Sequence, residues 1–150
     1  GYDSTYWIYL NDGGKTYFFE DNPQWITFTM NECPNANVIT VNYSTQRKHW
    51  RRLIRQPEKL WMNLPDFIVR MNWDLIFVDA PRGSNRGTPG RMQSIYSASR
   101  LNYKHILVHD CNRTVERVYF KKFIGKPDHI IGKLFHKIRS NSRINGESVF

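Results

Sequence analysis

Residues 73–92, WDLIFVDAPRGSNRGTPGRM, decide how the chain is read. Leu75 to Val78 are four apolar residues in succession, the pattern of a strand buried on both faces of a parallel sheet. The run stops at Asp79. A loop rich in proline and glycine follows, carrying Arg82, Arg86 and Arg91, and a helix is expected from about Gly90 to Leu101. In open α/β sheets, ligands bind beyond the carboxyl ends of the strands. Asp79 is therefore placed where chemistry is expected, although a solvated turn and helix cap would have the same local sequence.

Downstream, His105 to Val108 is a second short apolar strand, and it too ends on polar residues, His109 and Asp110. Asn112 to Ile124 has helical spacing, with Val115, Val118, Tyr119 and Phe123 as its buried stripe, and Ile130 to Ile138 reads as a closing strand. Upstream, Asp3 or Ser4 can cap a short helix that Gly13-Gly14 ends, and Lys15 to Phe19 reads as a strand ending at Glu20. Pro23 suits the first turn of a helix to about Met30, and Asn37 to Tyr43 is extended and rich in β-branched residues. Gln46 to Arg55 is a basic helix with Trp50, Leu53 and Ile54 on one face. Alternating strands and helices predict an α/β fold, a mostly parallel sheet with helices on both faces. Glu20, the Tyr43-Ser44-Thr45 run, Asp79 and His109-Asp110 would then open on one edge.

The 150 residues are expected to form one domain, 1–150, and the start at Gly1 in place of Met suggests an excised or processed chain. Apolar residues make up 40% and aromatics 15%, which excludes a disordered chain, and no run is long enough to span a membrane. The net charge of +9 is uneven: −4 over residues 1–43, +5 over 44–72, +2 over 73–111 and +6 over 112–150. That asymmetry points to a polyanionic partner, against the simpler alternative of a solvated basic face. Cys33 and Cys111 have neither metal-ligand spacing nor a disulfide framework, so the compartment stays open.

Asp79, His109 and Asp110 offer two carboxylates and an imidazole at neighbouring strand ends. Such a set can deprotonate a hydroxyl, or hold a divalent cation that lowers the hydroxyl's pKa. His49, His105, His129 and His136 are scattered along the sequence and read as structural. Arg82 and Arg91 could clamp an anionic group in bidentate fashion.

The runs VDAPRG…PGRMQSIYSA, from Val78 to Ala98, and LVHDCNRTVERVYFKKF, from Leu107 to Phe123, resemble the polysaccharide-biosynthesis family that includes glucuronoxylan 4-O-methyltransferases. The resemblance rests on Asp79, Pro81, Arg82, Gly83, Pro89, Gly90, Arg91, Met92, His109, Asp110, Arg113, Val115 and Glu116 in that order. Gly1-Tyr2-Asp3-Ser4, Gly13 to Thr16 with Phe19-Glu20-Asp21, and Tyr43 to Gln46 are similar to the family as well. It implies a Rossmann-like class I methyltransferase using S-adenosylmethionine, with the first strand of that fold missing from these residues. It also implies a glycan or polysaccharide acceptor, acidic in the plant enzymes, and a Golgi lumen location if the chain is like them. By the same resemblance Gly1, Asp3, Ser4, Glu20, Ser44 and Asp79 would hold the cofactor. Asp79, His109 and Asp110 would be catalytic, and Arg82 and Arg91 would bind substrate. Two rivals are a non-catalytic anion-binding module and an RNA ribose methyltransferase. No RNA-binding module is visible, which argues against nucleic acid.

Overall fold

The structure, a computed structural model, describes residues 3–139. Its contacts divide the chain into two compact units, Gly1–Ser44 and Thr45–Phe150.

The first unit holds helix α1 (Ser4–Leu10), strand β1 (Tyr17–Glu20), helix α2 (Pro23–Glu32) and strand β2 (Asn37–Thr40). The two strands pair in parallel, Tyr17 opposite Asn37 through Glu20 opposite Thr40. Pro23 opens α2 as its fixed φ suits, and the Asn22 side chain caps it by accepting from the Gln24 amide at 2.9 Å. The cap expected from Asp3 is not made. Asp3 occupies the cap position with a helical backbone in place of the extended one that a capping residue adopts, and its Oδ2 accepts from the Trp7 indole at 3.1 Å. Gly1 lies outside the described residues.

The second unit is built on strand β3 (Asn72–Val78) and strand β4 (Asn102–Val108), which pair in parallel with Val78 opposite Val108. Helix α5 (Met92–Arg100) connects them, and helix α6 (Thr114–Phe123) follows β4. The expected closing strand is a hairpin of β5 (His129–Ile131) and β6 (Leu134–Ile138), broken at Gly132, whose φ of +58° suits a residue without Cβ. Because β6 returns beside β4 in the opposite sense, the order is β3-β4-β6-β5 and this sheet is mixed, not mostly parallel. Two short helical pieces missing from the sequence reading, Pro57–Leu60 in 3₁₀ form and α4 (Asp66–Arg70), carry the chain into β3.

Strand alternation sorts the second unit's sheet into two faces. Val78, Ile106, Val108 and Phe135 lie in the core with Met92 and Ile95 of α5 and Val115, Tyr119 and Phe120 of α6. Leu60 and Ile68, from the two unanticipated pieces, are also fully buried, and each such side chain contributes about 1.5–3 kcal/mol. The basic segment divides into a 3₁₀ turn (Arg47–His49) and α3 (Trp50–Leu53), with Leu53 buried and Trp50 and Ile54 packed against the core as expected. On the other face the histidines are not scattered. His105 Nδ1 and His136 Nε2 lie 3.0 Å apart, and His129 stacks on His136 across the hairpin. Cys33 and Cys111 are free thiols, and burial pushes the Cys111 thiol up to about 12.

Candidate active site

The carboxyl ends of β3 and β4 deliver three expected residues to one place. His109 follows directly from β4, and its amide donates to Val78 O at 3.0 Å, so the register of the two strands sets Asp79 beside His109. His109 Nδ1 lies 2.9 Å from Asp79 Oδ1. A carboxylate can only accept, so Nδ1 carries the proton, and in the neutral form of the ring Nε2 keeps the lone pair. The two side chains are 39% and 45% exposed.

Asp110 turns the chain from β4 into α6. Its φ of +58° is one that aspartate tolerates better than most residues, and its carbonyl accepts from the Arg113 amide at 2.9 Å. The side chain faces inward and is 11% exposed. Its Oδ2 is 2.9 Å from both Arg91 Nη2 and Arg113 Nη1.

Arg91 ties the group together. Set just before α5, it is buried to 6% exposure. Its Nη2 reaches Asp79 Oδ1 and Asp110 Oδ2, both at 2.9 Å, and its Nη1 donates to His109 O at 2.8 Å. The expected substrate arginine is thus engaged with the protein's own carboxylates. Arg82 differs: its side chain is exposed and forms no ion pair among the described residues, while its carbonyl accepts from the Gly90 amide at 3.0 Å.

One buried acid was not anticipated. Glu116 is fully buried in the first turn of α6, and neither oxygen has a well-formed hydrogen bond to another residue. Burial raises its pKa, against the opposing pull of Arg91, Arg113 and Arg47. A Cβ on Gly83 would lie 2.6 Å from Glu116 Oε1, so the loop after Asp79 rests directly on this carboxyl. The sequence signal was its place in the Arg113-Thr-Val-Glu116 run, where helical spacing alone assigned the stripe to Val118 instead.

Asp79, His109 and Asp110 offer ligand atoms within 4.8 Å of one another, a spacing a divalent cation can bridge. The charge argues otherwise. Arg91 holds Asp79 Oδ1 and Asp110 Oδ2, and Arg113 holds Asp110 Oδ2 as well, so both carboxylates are already neutralised and the residues do not fit a cation as they stand.

In the first unit, Glu20 stands at the carboxyl end of β1, and its Oε1 accepts from the Asp21 and Asn22 amides at 3.0 and 2.9 Å. Burial, and Glu20 beside it, raise the pKa of Asp21. Ser4 is buried in the first turn of α1, Asp3 is exposed ahead of it, and Ser44 is exposed at the end of the unit.

A second feature of the Thr45–Phe150 unit is basic. A pocket of about 320 Å³ is lined by Arg47, Lys48, Trp50, Arg51, Arg86, Thr114 and Val115. The sequence showed that 44–72 is basic, but not that Arg86 and the start of α6 join it.

Fold and site define an α/β protein with a strand-end Asp–His pair braced by a buried arginine. The family model IRX15/IRX15L/GXM matches residues 1–61 and 57–133, and the chain belongs to that family. Arabinogalactan O-methyltransferase 2 of Arabidopsis thaliana is 33% identical over 165 residues, covering 91% of this chain and 57% of that protein. Glucuronoxylan 4-O-methyltransferase 3 of the same plant is 34% identical over 148 residues, covering 84% of this chain and 50% of its own. Protein IRX15-LIKE, whose name states no reaction, is 31% identical over 150 residues, covering 82% and 47%. The chain thus spans about half the length of these relatives. No solved structure matches it. Among the described residues, no helix is long and apolar enough to cross a membrane.

Proposed function

We propose that the protein is an S-adenosylmethionine-dependent O-methyltransferase with a Rossmann-like fold, acting on a sugar hydroxyl of a glycan. The names of the arabinogalactan and glucuronoxylan O-methyltransferases support the reaction class. The observation that carries the mechanism is the 2.9 Å contact between His109 Nδ1 and Asp79 Oδ1.

His109 is the base. With Nδ1–H donating to Asp79, Nε2 is the lone pair that takes the hydroxyl proton as the oxygen becomes nucleophilic. Asp79 fixes the tautomer and stabilises the imidazolium that forms, a division of labour general to Asp–His pairs. Arg91 sets where Asp79 lies. By its bond to His109 O it also sets the backbone from which the imidazole projects. Asp110 and Arg113 hold Arg91 from behind and carry no proton in this scheme. Arg82, exposed on the adjoining loop, is a cation available to an anionic acceptor, and Arg91 acts as a positioning residue. A divalent cation is given no step.

The sulfonium cofactor supplies an electrophilic methyl group when bound. In the first unit, Glu20 is the residue for its ribose, because a carboxylate fixed at a strand end by two backbone amides suits a vicinal diol. Asp3, Ser4 and Ser44 complete that set, with Gly1 ahead of them. Calorimetric titration with S-adenosylhomocysteine tests the assignment: saturable binding is expected, weakened at least tenfold in Glu20→Ala, and no binding would overturn it. The anion-binding alternative is favoured by the basic pocket, and predicts that glycan binding survives where cofactor binding is absent.

A further inference from the structure

The basic pocket has no role in proton removal, and its construction is particular. The Arg47 amide donates to Thr88 O at 2.8 Å and the Lys48 amide to Arg86 O at 3.0 Å, so the 47–48 segment is laced to the loop that follows Asp79. Gly90, at a φ of +70°, permits the close approach, since a Cβ there would sit 3.3 Å from Arg47 Cβ. Three cationic residues of the 47–51 segment and Arg86 of the distant loop thereby line one concavity, and no acidic residue does. The Arg51 guanidinium lies 4.8 Å from the centre of the Trp50 ring, which restricts its freedom. Arg47 Nε is buried and has no hydrogen-bond partner. Arg47 interacts electrostatically with Glu116, which is buried in the first turn of α6. The start of the ten-residue helix α6 also lines the pocket, and there no side chain caps the first turn and the backbone N–H groups favour negative charge.

We propose that this pocket is a subsite for a carboxylate-bearing sugar of the glycan chain. The pocket shares its walls with the catalytic segments. Arg86 and Gly90 belong to the loop between Asp79 and Arg91, and Thr114 follows Arg113 directly. A glycan whose acceptor hydroxyl meets His109 is thus offered an anion site on the same loop. A planar carboxylate on a pyranose ring suits forked guanidinium donors better than a point cation. The inference rests on the glycan reading of the dyad, and deepens it by separating the recognition of charge from the removal of the proton.

The test uses exposed residues outside the dyad, with Lys48→Gln, Arg51→Gln and Arg86→Gln made singly and together. Calorimetry with a glucuronic-acid-bearing xylo-oligosaccharide, the neutral xylo-oligosaccharide and inorganic phosphate reads the site directly. Each single change is expected to weaken binding of the acidic oligosaccharide about tenfold, leaving the neutral one unchanged. In methyl transfer to the acidic oligosaccharide, the variants are expected to raise KM with kcat unchanged. Equal affinity of the triple variant and the parent protein would overturn the proposal. So would phosphate binding as tightly as the acidic oligosaccharide, since the pocket would then select charge without the sugar. Loss of acidic-glycan binding in a protein that transfers no methyl group would uphold the subsite and sink the enzymatic reading. Transfer with an unchanged KM would do the reverse.

Discussion

Replacing Arg91 by methionine isolates the contribution of the buried guanidinium. Methionine keeps much of the length and apolar volume, so the change removes charge and hydrogen bonds more than packing. Asp110, 7% exposed overall, would keep one guanidinium partner, Arg113, and His109 O would lose a donor. Removing one member of a buried ion pair costs about 3–5 kcal/mol. Arg113 retains part of the compensation, so about 3 kcal/mol is expected. Asp79 adds little, because a carboxylate that is 45% exposed is largely rehydrated, and such pairs contribute under ~1 kcal/mol. For a chain of this size the loss corresponds to a fall in Tm of about 6–12 °C. Urea and thermal melts followed by circular dichroism would measure it. Double-mutant cycles apportion it: Arg91 with Asp110→Asn should couple by about 2 kcal/mol, and Arg91 with Asp79→Asn by less than ~1 kcal/mol. Asparagine is the right partner change because it too tolerates the positive φ at position 110. An Arg91→Met protein melting within about 2 °C of the parent, or couplings in the reverse order, would refute the view that Arg91 braces the site.

Gly83→Ala would push a methyl group to 2.6 Å from Glu116 Oε1 and 3.4 Å from Arg113 Nη1, and should destabilise by about 1–3 kcal/mol in urea melts. Pairing it with Glu116→Ala should recover part of that loss. Tyr119→Phe removes the buried hydroxyl that donates to Trp50 O at 2.8 Å and should cost about 1 kcal/mol, as a shift in urea midpoint at constant slope. Burial, with His105 and His129 alongside, lowers the His136 pKa, so protonation of that ring opposes the fold. Above the ordinary histidine value, about 6.5, stability should not depend on this group. As pH falls through that value toward the depressed one, the unfolded chain takes up the proton first and stability declines. His136→Gln should flatten the decline, seen as a smaller loss of Tm between pH 7 and pH 5.

How much of this was legible in the sequence depended on whether the determining contact was local. Leu75 to Val78 ending at Asp79, and His105 to Val108 ending at His109, were readable because a buried strand and its polar stop are written in consecutive residues. Their juxtaposition follows from the parallel pairing of β3 with β4. The partners of Arg91 were not readable. Its two carboxylates stand 12 residues before and 19 after it, and nothing in the intervening spacing distinguishes a buried brace from an exposed clamp. Glu116 escaped for a related reason: helical periodicity treats an acid as solvent-facing, whereas three arginines around it make its burial tolerable. The hairpin was missed although Gly132 sits between two apolar pairs, Ile130-Ile131 and Leu134-Phe135, because one apolar run looked continuous. The basic pocket needed the lacing of 47–48 to 86–88, a tertiary contact between two loops that have no periodicity.

The most direct test of the central claim is transfer of an isotopically labelled methyl group from S-adenosylmethionine to glucuronoxylan and to arabinogalactan, with the modified sugars identified by mass spectrometry. The parent protein should O-methylate at least one of these glycans, and His109→Gln should do so at least ~100-fold more slowly with its Tm preserved. Labelled glycan formed at the parent rate by His109→Gln, or none formed by the parent protein, would contradict the account.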